Sequence, residues 1–520
     1  MQLEDLNIEF HALPGAIPAW RAHIEADRLQ PVCAQVRESG GRLLALWGSD
    51  ERGSNERAHG KGFTLHVALA THPGLLILSL KLDAEQPTYP DIGAIFPPAE
   101  RMQRAAHDML GLVAQGAVDQ RKWLRHGCWP ADQFPLRKEF DFTQKLPAGL
   151  DAYPFIPVVG DGVHEIPVGP VHAGTIEPGH FRFSIVGERV LRLEERLGYK
   201  HKGIEKLAET MDVLQGAKLA GRVSGDSTCA YAWAYAMALE NMTGVTPPPR
   251  ALLLRALLLE RERIHNHLGD LGYLGNDVAL SFGFAQFWIL KEDVLRANGE
   301  LFGHRYLMDR IIPGGVAYDL PPHGKARLLA EAQHLEQEIG TLRSIYEEHA
   351  GVQDRFLTTG CVSPNRAAKL GLTGMPGRAS GQAWDLRAQY PCAPYDTLDV
   401  RMSTHRNGDV AARAIVRIEE ILESLRLTRL ILEQLADGAL SVAVPQAPAG
   451  GFGVGMVEGW RGEVLIGLQV GADNRIARLH PHDPSWQNWP LLEHAVIGNI
   501  VPDFPLINKS FNLSYTGQDL

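Results

Sequence analysis

The chain reads as an α+β protein: an N-terminal α/β part is followed by a mainly helical part that carries a small β-hairpin region. Three observations predict this. FTLHVALA and GLLILSLKL are short apolar runs around the turn residues His72, Pro73 and Gly74, as paired strands are. HFRFSIVGERVLRLEERLG reads as a hairpin around Gly187 and Glu188. AARAIVRIEEILESLRLTRLILEQLADG is the longest amphipathic stretch, with Ile415, Ile418, Leu422, Leu425, Leu432 and Leu435 near one face.

Taken in order, PPAERMQRAAHDMLGLVAQG predicts a helix after a proline pair, with Ala99, Met102, Ala106, Met109 and Leu110 at helical spacing. RHGCWPADQFPLRKEF is proline-punctuated and extended. Proline and glycine then gather without periodicity in KLPAGLDAYPF, which places a domain boundary near residue 150 and gives domains of 1–150 and 151–520. In the second domain a helix can begin, but not continue, at Pro247, Pro248 and Pro249. The long amphipathic helix is closed by Asp437 and Gly438. AVPQAPAGGFGVG is a connection into the strand EVLIGLQV, and HPHDP, His480 to Pro484, reads as a turn.

With 520 residues the chain exceeds what one core organises, and 45% hydrophobic with 22% charged residues is ordinary globular composition. A formal net charge of −10 argues against nucleic acid as a partner. Cys33, Cys128, Cys229, Cys361 and Cys392 are scattered and never spaced as a pair, which fits reduced thiols in a cytoplasmic setting. No apolar run reaches the roughly 18 residues that cross a bilayer, so membrane association is expected through partner subunits. No GxGxxG follows a strand and opens a helix, so no dinucleotide pocket is expected.

Two sets of residues carry a resemblance. Glu100, Arg101, Asp108, Met109, Gly111, Pro135, Leu136, Arg137 and Lys138 stand where the C-type subunit of the proton-pumping NADH-quinone oxidoreductases (complex I) has its motif residues, and that part of the chain resembles the C-type subunit. From about Val168 onward, VGPVHAGTIEPGHFRFSIVGE, HKGIEKLAE, LLLERERIHNHL, RASGQAWDLR and NGDVAARAIVRIEE resemble the D-type subunit of the same enzymes, fused behind it, and NWPLLEHAVIGNIVPDFPLI resembles the hydrogenase large subunit. They resemble still more closely the large subunit of energy-converting, membrane-bound nickel-iron hydrogenases.

The resemblance implies a nickel-iron centre held by four thiolates in two pairs, since soft sulfur donors suit those metals. The first pair falls on Ser224 and Ser227 in GRVSGDSTCAYA, the second on Ser514 and Gly517. All four thiolates are missing, so no metal is expected on this chain. The plain reading of SGDS is a polar turn in which Asp226 or Ser227 caps the following helix. The quinone-binding tyrosine of the D-type subunit falls on Gly225 and its histidine on or near Pro178, with His180 two residues on. Quinone thus stays open as an acceptor.

Four residues are the site candidates. The resemblance implies that Glu177 passes protons, as a buried carboxyl with a raised pKa would. It also implies that Arg461 in GWRGE overhangs the metal position, where it is expected to pair with Asp226. His180 is weighed as a cavity histidine against one satisfied in a hairpin. Glu262, His265 and His267 are weighed as a metal cluster and disfavoured, because histidines two apart on a helix face different ways.

The function so implied is a peripheral subunit of a membrane-bound, complex I-like or hydrogenase-related oxidoreductase on the cytoplasmic side of the inner membrane. It would couple electron transfer from a small iron-sulfur subunit to ion translocation, with a ferredoxin-like subunit and membrane-embedded subunits as further partners. No cofactor is expected on the chain itself; the cluster belongs to the partner. Two rivals stand beside it: a redox-silent scaffold and an active hydrogenase large subunit.

Overall fold

The computed structural model describes residues 3–52, 62–127, 129–146, 149, 152–172 and 176–520. Cys128, residues 173–175 of the VGPVHAGTIEPGH stretch and part of the expected boundary segment lie outside the described residues.

The N-terminal part is a sheet with helices. Its strands are β1 (His11–Leu13), β2 (Ala19–Ile24), β3 (Arg42–Asp50), β4 (Phe63–Ala70) and β5 (Leu75–Leu82), with helix α1 (Ala26–Glu38) between β2 and β3. The order is β1-β2-β5-β4-β3, with β2 and β5 parallel and the other neighbours antiparallel. β4 and β5 are the two apolar runs read from the sequence. They are buried along nearly their whole length, which is why they lack polar alternation. Helix α2 (Ala99–Leu110) follows and closes at Gly111, whose φ of 79° suits glycine.

The predicted hairpin is β7 (His180–Val186) with β8 (Arg189–Arg196), and β6 (Val163–Val168) extends it to three antiparallel strands. The helical body comprises α3 (Thr228–Thr243), α4 (Pro249–Asp277), α5 (Ser281–Phe302), α6 (Gly324–Glu348) and α7 (Val410–Gln434). α4 opens with proline in its first turn, and the Asp409 side chain caps α7 by accepting from Ala412 N. A second antiparallel sheet of β9 (Phe452–Glu458), β10 (Glu463–Val470) and β11 (Ile476–His482) precedes α8 (Ser485–Ala495), α9 (Phe504–Phe511) and α10 (Tyr515–Asp519). His480 and His482 therefore lie in a strand and not in the expected turn. The alternation that marks a half-exposed strand is missing because β11 is buried on both faces.

α3 is alanine-rich and buried all round. β9 lies directly on it: a Cβ at Gly453 or Gly455 would strike the Ala238 or Ala234 carbonyl. The parts are joined through shared cores. Trp123 and Leu136 pack in one cluster with Phe181, Phe183 and Trp489, and the Trp47 ring stacks on His480 with centroids 4.9 Å apart.

The motif residues shared with the C-type subunits make these joints. Asp108 Oδ2 accepts the amides of Trp123, Leu124 and Arg125 at 2.6, 2.8 and 3.1 Å. Arg101 bridges Glu195 and Glu493 at 3.0 and 2.7 Å. Lys138 donates to Glu209 and to the Ala477 carbonyl, both at 2.8 Å.

Candidate functional site

The loop 221–227 leads into α3 and is pinned from two sides. The Asp226 carbonyl accepts from Asn266 Nδ2 on α4 at 2.7 Å and from Trp460 Nε1 at 2.9 Å. Trp460 and Arg461 lie in the tight turn between β9 and β10. The Arg461 guanidinium rests on the Trp460 ring, 3.9 Å from its centroid, and Nε donates to the Asn512 carbonyl at 2.6 Å. So fixed, it meets Asp226 with two parallel bonds, Nη1 to Oδ1 at 2.9 Å and Nη2 to Oδ2 at 2.7 Å. The pair expected between these residues forms. Burial pushes the Asp226 carboxyl up, but Arg461 and the Ser224 hydroxyl outweigh it and hold it well below the usual carboxylate range. The aspartate side chain keeps 35% of its surface exposed against 8% for the arginine, so the pair has a dry end and a wet end.

The C-terminal segment brings the second vacated pair to the first. Ser514 caps α10 by accepting from Gly517 N at 2.8 Å, and its hydroxyl lies 3.1 Å from that of Ser224. Ser224 also donates to Asp226 at 2.7 Å, and Ser227 stands 3.3 Å from Arg461 Nη1. The four positions thus gather as the resemblance implies, but their chemistry does not fit nickel and iron. The hydroxyls are neutral hard donors already spent on one another and on Asp226, and Gly517 offers no side chain. A Cβ at Gly517 would lie 2.5 Å from Asp483 Oδ2, so this carboxylate occupies the space of the fourth ligand. Asp483 is held there by Tyr231, whose hydroxyl donates at 2.7 Å. Sequence reading missed Asp483, because nothing in HPHDP signals a contact made 252 residues away.

The other candidates are placed differently. Glu177 reaches the cluster through its edge: Oε2 accepts from Thr516 N at 3.1 Å and Lys200 Nζ lies 4.0 Å from Oε1. Its side chain is 36% exposed, so the buried carboxyl expected there is not what this chain presents. His180 begins β7 with Nδ1 3.3 Å from the Gly169 carbonyl and its ring against Phe155, and it shares no hydrogen bond with the loop. Burial lowers its pKa.

The expected cap is also corrected. Neither Asp226 nor Ser227 caps α3; its first free amides, Cys229 N and Ala230 N, donate to the Glu262 carboxylate at 2.6 and 3.2 Å. Arg461 has claimed Asp226, and a helix 33 residues on supplies the acceptor instead. Burial pushes the Glu262 carboxyl up to about 8, with the nearby Asp226 charge adding to it and the two amides opposing. His267 on the same helix binds Glu420 at 2.8 Å, while neither ring nitrogen of His265 has a hydrogen-bond partner among the described residues. Among the described residues no group of three or more His, Cys, Asp or Glu could hold a metal ion.

From Asp226 a buried polar network runs inward. Asn512 follows Arg461 and donates to Asp270 at 2.6 Å, and Asp270 pairs with Arg417 at 3.0 Å. One turn along α7, Glu420 pairs with Arg378 at 2.8 Å, which holds Glu458 at 2.7 Å. Arg387 ties Asp385 to Glu260 at 2.7 and 3.0 Å. Glu260, Arg378, Asp385, Arg387, Arg417 and Glu420 fall in LLLERERIHNHL, RASGQAWDLR and NGDVAARAIVRIEE.

Comparisons with known proteins agree with the fold. Residues 22–146 match the family described as respiratory-chain NADH dehydrogenase, 30 Kd subunit, and residues 277–449 match its 49 Kd subunit. Formate hydrogenlyase subunit 5 of Escherichia coli is 32% identical over 490 residues, covering 93% of this chain and 85% of that one. The C/D subunit of the NADH-quinone oxidoreductase of Bacteroides thetaiotaomicron is 28% identical over 458 residues, covering 84% and 86%. A solved chain from the membrane-bound sulfane sulfur reductase, an archaeal respiratory membrane complex, superposes with a TM-score of 0.66 at 24% identity; the match covers 70% of this chain and all of that one, and shows a shared fold. The chain belongs to the family of fused C/D-type subunits shared by NADH-quinone oxidoreductases and membrane-bound, hydrogenase-related complexes.

Proposed function

We propose that this chain is a peripheral subunit of a membrane-bound oxidoreductase, on the cytoplasmic side, that converts the charge state of a partner's iron-sulfur cluster into a change along its buried polar network. The observation that carries this reading is the Asp226–Arg461 pair. It stands among the vacated ligand positions, keeps one end exposed, and continues through Asn512 and Asp270 into the interior. An electron arriving beside the loop would favour Arg461 over Asp226 and raise the proton affinity of the carboxyls nearby. Glu262, next to Asp226 and pushed by burial up to about 8, already holds a proton at neutral pH and is the group placed to keep it while the electron stays and release it as the electron leaves. The small iron-sulfur subunit, a ferredoxin-like subunit and membrane-embedded subunits are the partners of this reading, and quinone is one acceptor it admits.

The scaffold reading has an observation of its own: the hydroxyls of the vacated positions are mutually satisfied, as in a site that has only been filled in. Asp226→Asn and Arg461→Gln in the intact complex separate the two. Coupling through the pair predicts that turnover falls about tenfold or more while the complex still assembles, the scale of an ordinary coupling energy. Unchanged turnover in an assembled complex would establish the scaffold.

A further inference from the structure

Between α2, β8 and α8 lies a cleft of about 680 Å³, in the size range of ligand sites. Its charges are unevenly matched. On one wall Arg104 and Arg121 share Asp119, and Arg121 and Arg192 reach Glu194. On the other wall Arg101 alone serves two carboxylates, Glu195 at 3.0 Å and Glu493 at 2.7 Å. Glu195 is 1% exposed and lines the cleft, and its second oxygen, Oε1, has no hydrogen-bond partner among the described residues. A buried carboxylate oxygen without a donor is costly. Burial and the Glu493 charge push the Glu195 carboxyl well up against the pull of Arg101, as in a place one cation short.

Glu100 is the second, independent sign. It stands next to Arg101 in the first turn of α2 and lines the same cleft, yet it forms no hydrogen bond or ion pair among the described residues. Burial pushes its carboxyl up, with Asp119 and Glu493 adding to it and Arg101 and Arg104 opposing. Over the whole cleft five carboxylates stand against four guanidiniums, and His494 adds no charge because burial lowers its pKa.

The walls select the kind of cation. A metal ion does not fit, since no group of three or more His, Cys, Asp or Glu among the described residues could hold one. An anionic lipid headgroup is repelled by the surplus carboxylate. A small dissolved amine would supply charge but leave Val118 and Ile156 in water, and both line this cleft, 100% and 46% exposed. A guanidinium carries five donors in one plane, is weakly hydrated and can serve two carboxyl groups at once. On a polypeptide with apolar neighbours it would also cover the exposed rim.

We propose that this cleft is the socket for an arginine side chain carried by an apolar segment of another subunit of the complex. The guanidinium pairs with the more exposed Glu100 and donates to Glu195 Oε1 behind it, while its apolar neighbours cover Val118 and Ile156. The contact serves assembly and is independent of the coupling proposed for the Asp226 pair.

Benzoylphenylalanine in place of Val118, photolysed in the intact, membrane-purified complex, tests this. The expected product joins position 118 to a peptide of another subunit that has an arginine within about five residues, since an extended chain spans at most about 3.5 Å per residue. Glu100→Gln, which keeps the shape and loses the charge, makes that subunit leave the solubilised complex about tenfold faster at moderate salt. Glu100→Arg combined with a glutamate in place of the partner arginine restores retention where either change alone loses it, which separates loss of the pair from misfolding. Cross-links only within this chain, or to a segment without a basic residue, overturn the proposal. So does retention that Glu100→Gln and Glu100→Arg leave unchanged. Retention that depends on Glu100 but is lost on dialysis and returned by a dissolved diamine overturns it as well, in favour of a small cation.

Discussion

Around Asp108 the motif side chains of Arg101, Asp108, Arg137 and Lys138 are spent on the chain's own backbone and ion pairs, whereas around Asp226 a pattern of the same family is kept in position but changed in chemistry. Asp108 turns three buried amides into one anchored loop, and Arg101 and Lys138 tie that loop's neighbourhood to the second half of the chain. The 224–227 loop is built just as firmly by Asn266 and Trp460, yet it ends in a charge pair that is one-third open on its acidic side. The contrast separates two reasons for a motif: saturated donors mark a joint, and a charge held against burial at an open edge marks a site.

The largest effect should come from breaking the joint. Asp108→Ala strands three buried amides, each worth roughly 1–3 kcal/mol when left without an acceptor. A loss of about 3 kcal/mol or more is expected in denaturant unfolding, and Asp108→Asn, which keeps an acceptor, should lose clearly less. A loss no larger than that of an exposed substitution would show that the motif is not a joint. Next comes restoring the thiolates with Ser224→Cys, Ser227→Cys, Ser514→Cys and Gly517→Cys together. Because a Cβ at position 517 meets Asp483 at 2.5 Å, about 1–3 kcal/mol of overpacking is expected, with no nickel above background in the purified protein. Stoichiometric nickel would mean that the site is emptied only of ligands and not refilled.

What the sequence allowed to be read, and what it hid, follows the range of the interaction. β4, β5, the 187–188 turn, the proline start of α4 and the body of α7 are local patterns, and all were legible. Asp226–Arg461 was legible because family motifs bracket both ends. The cap of α3 was not, since Ser227 and Asp226 satisfy every local rule for a cap and lose only because Arg461, 235 positions from Asp226, arrives first. Asp483 and the strand around His480 were hidden for a similar reason: burial on both faces erases the alternation that would announce a strand. Glu177 was misjudged in burial, a property set by which distant groups reach it, here the Thr516 amide and Lys200, and not by its own neighbours in sequence.

The sharpest effect at any one pH step concerns Glu262, which stands beside Asp226 and titrates in the opposite sense. In the unfolded chain a glutamate titrates near about 4.3. In the fold, burial and the Asp226 charge move Glu262 up to about 8. Between those values the folded state holds a proton that the unfolded state has lost, so stability falls as pH rises from about 4.5 to about 8 and then levels. Asp226 is held low by Arg461, so its contribution is present above about pH 4 and is lost only as the medium becomes strongly acidic. Glu262→Gln keeps an acceptor for Cys229 N and removes the titration. Its unfolding free energy should therefore decline less steeply across the neutral range, by up to about 1.4 kcal/mol per pH unit, while the acid limb set by Asp226 stays. Denaturant unfolding of both proteins at a series of pH values measures this. Identical slopes would mean that Glu262 does not exchange its proton near neutrality, and the proton-exchanging role would then have to pass to another carboxyl of the network, with Glu458, also raised by burial to about 7, the next in line.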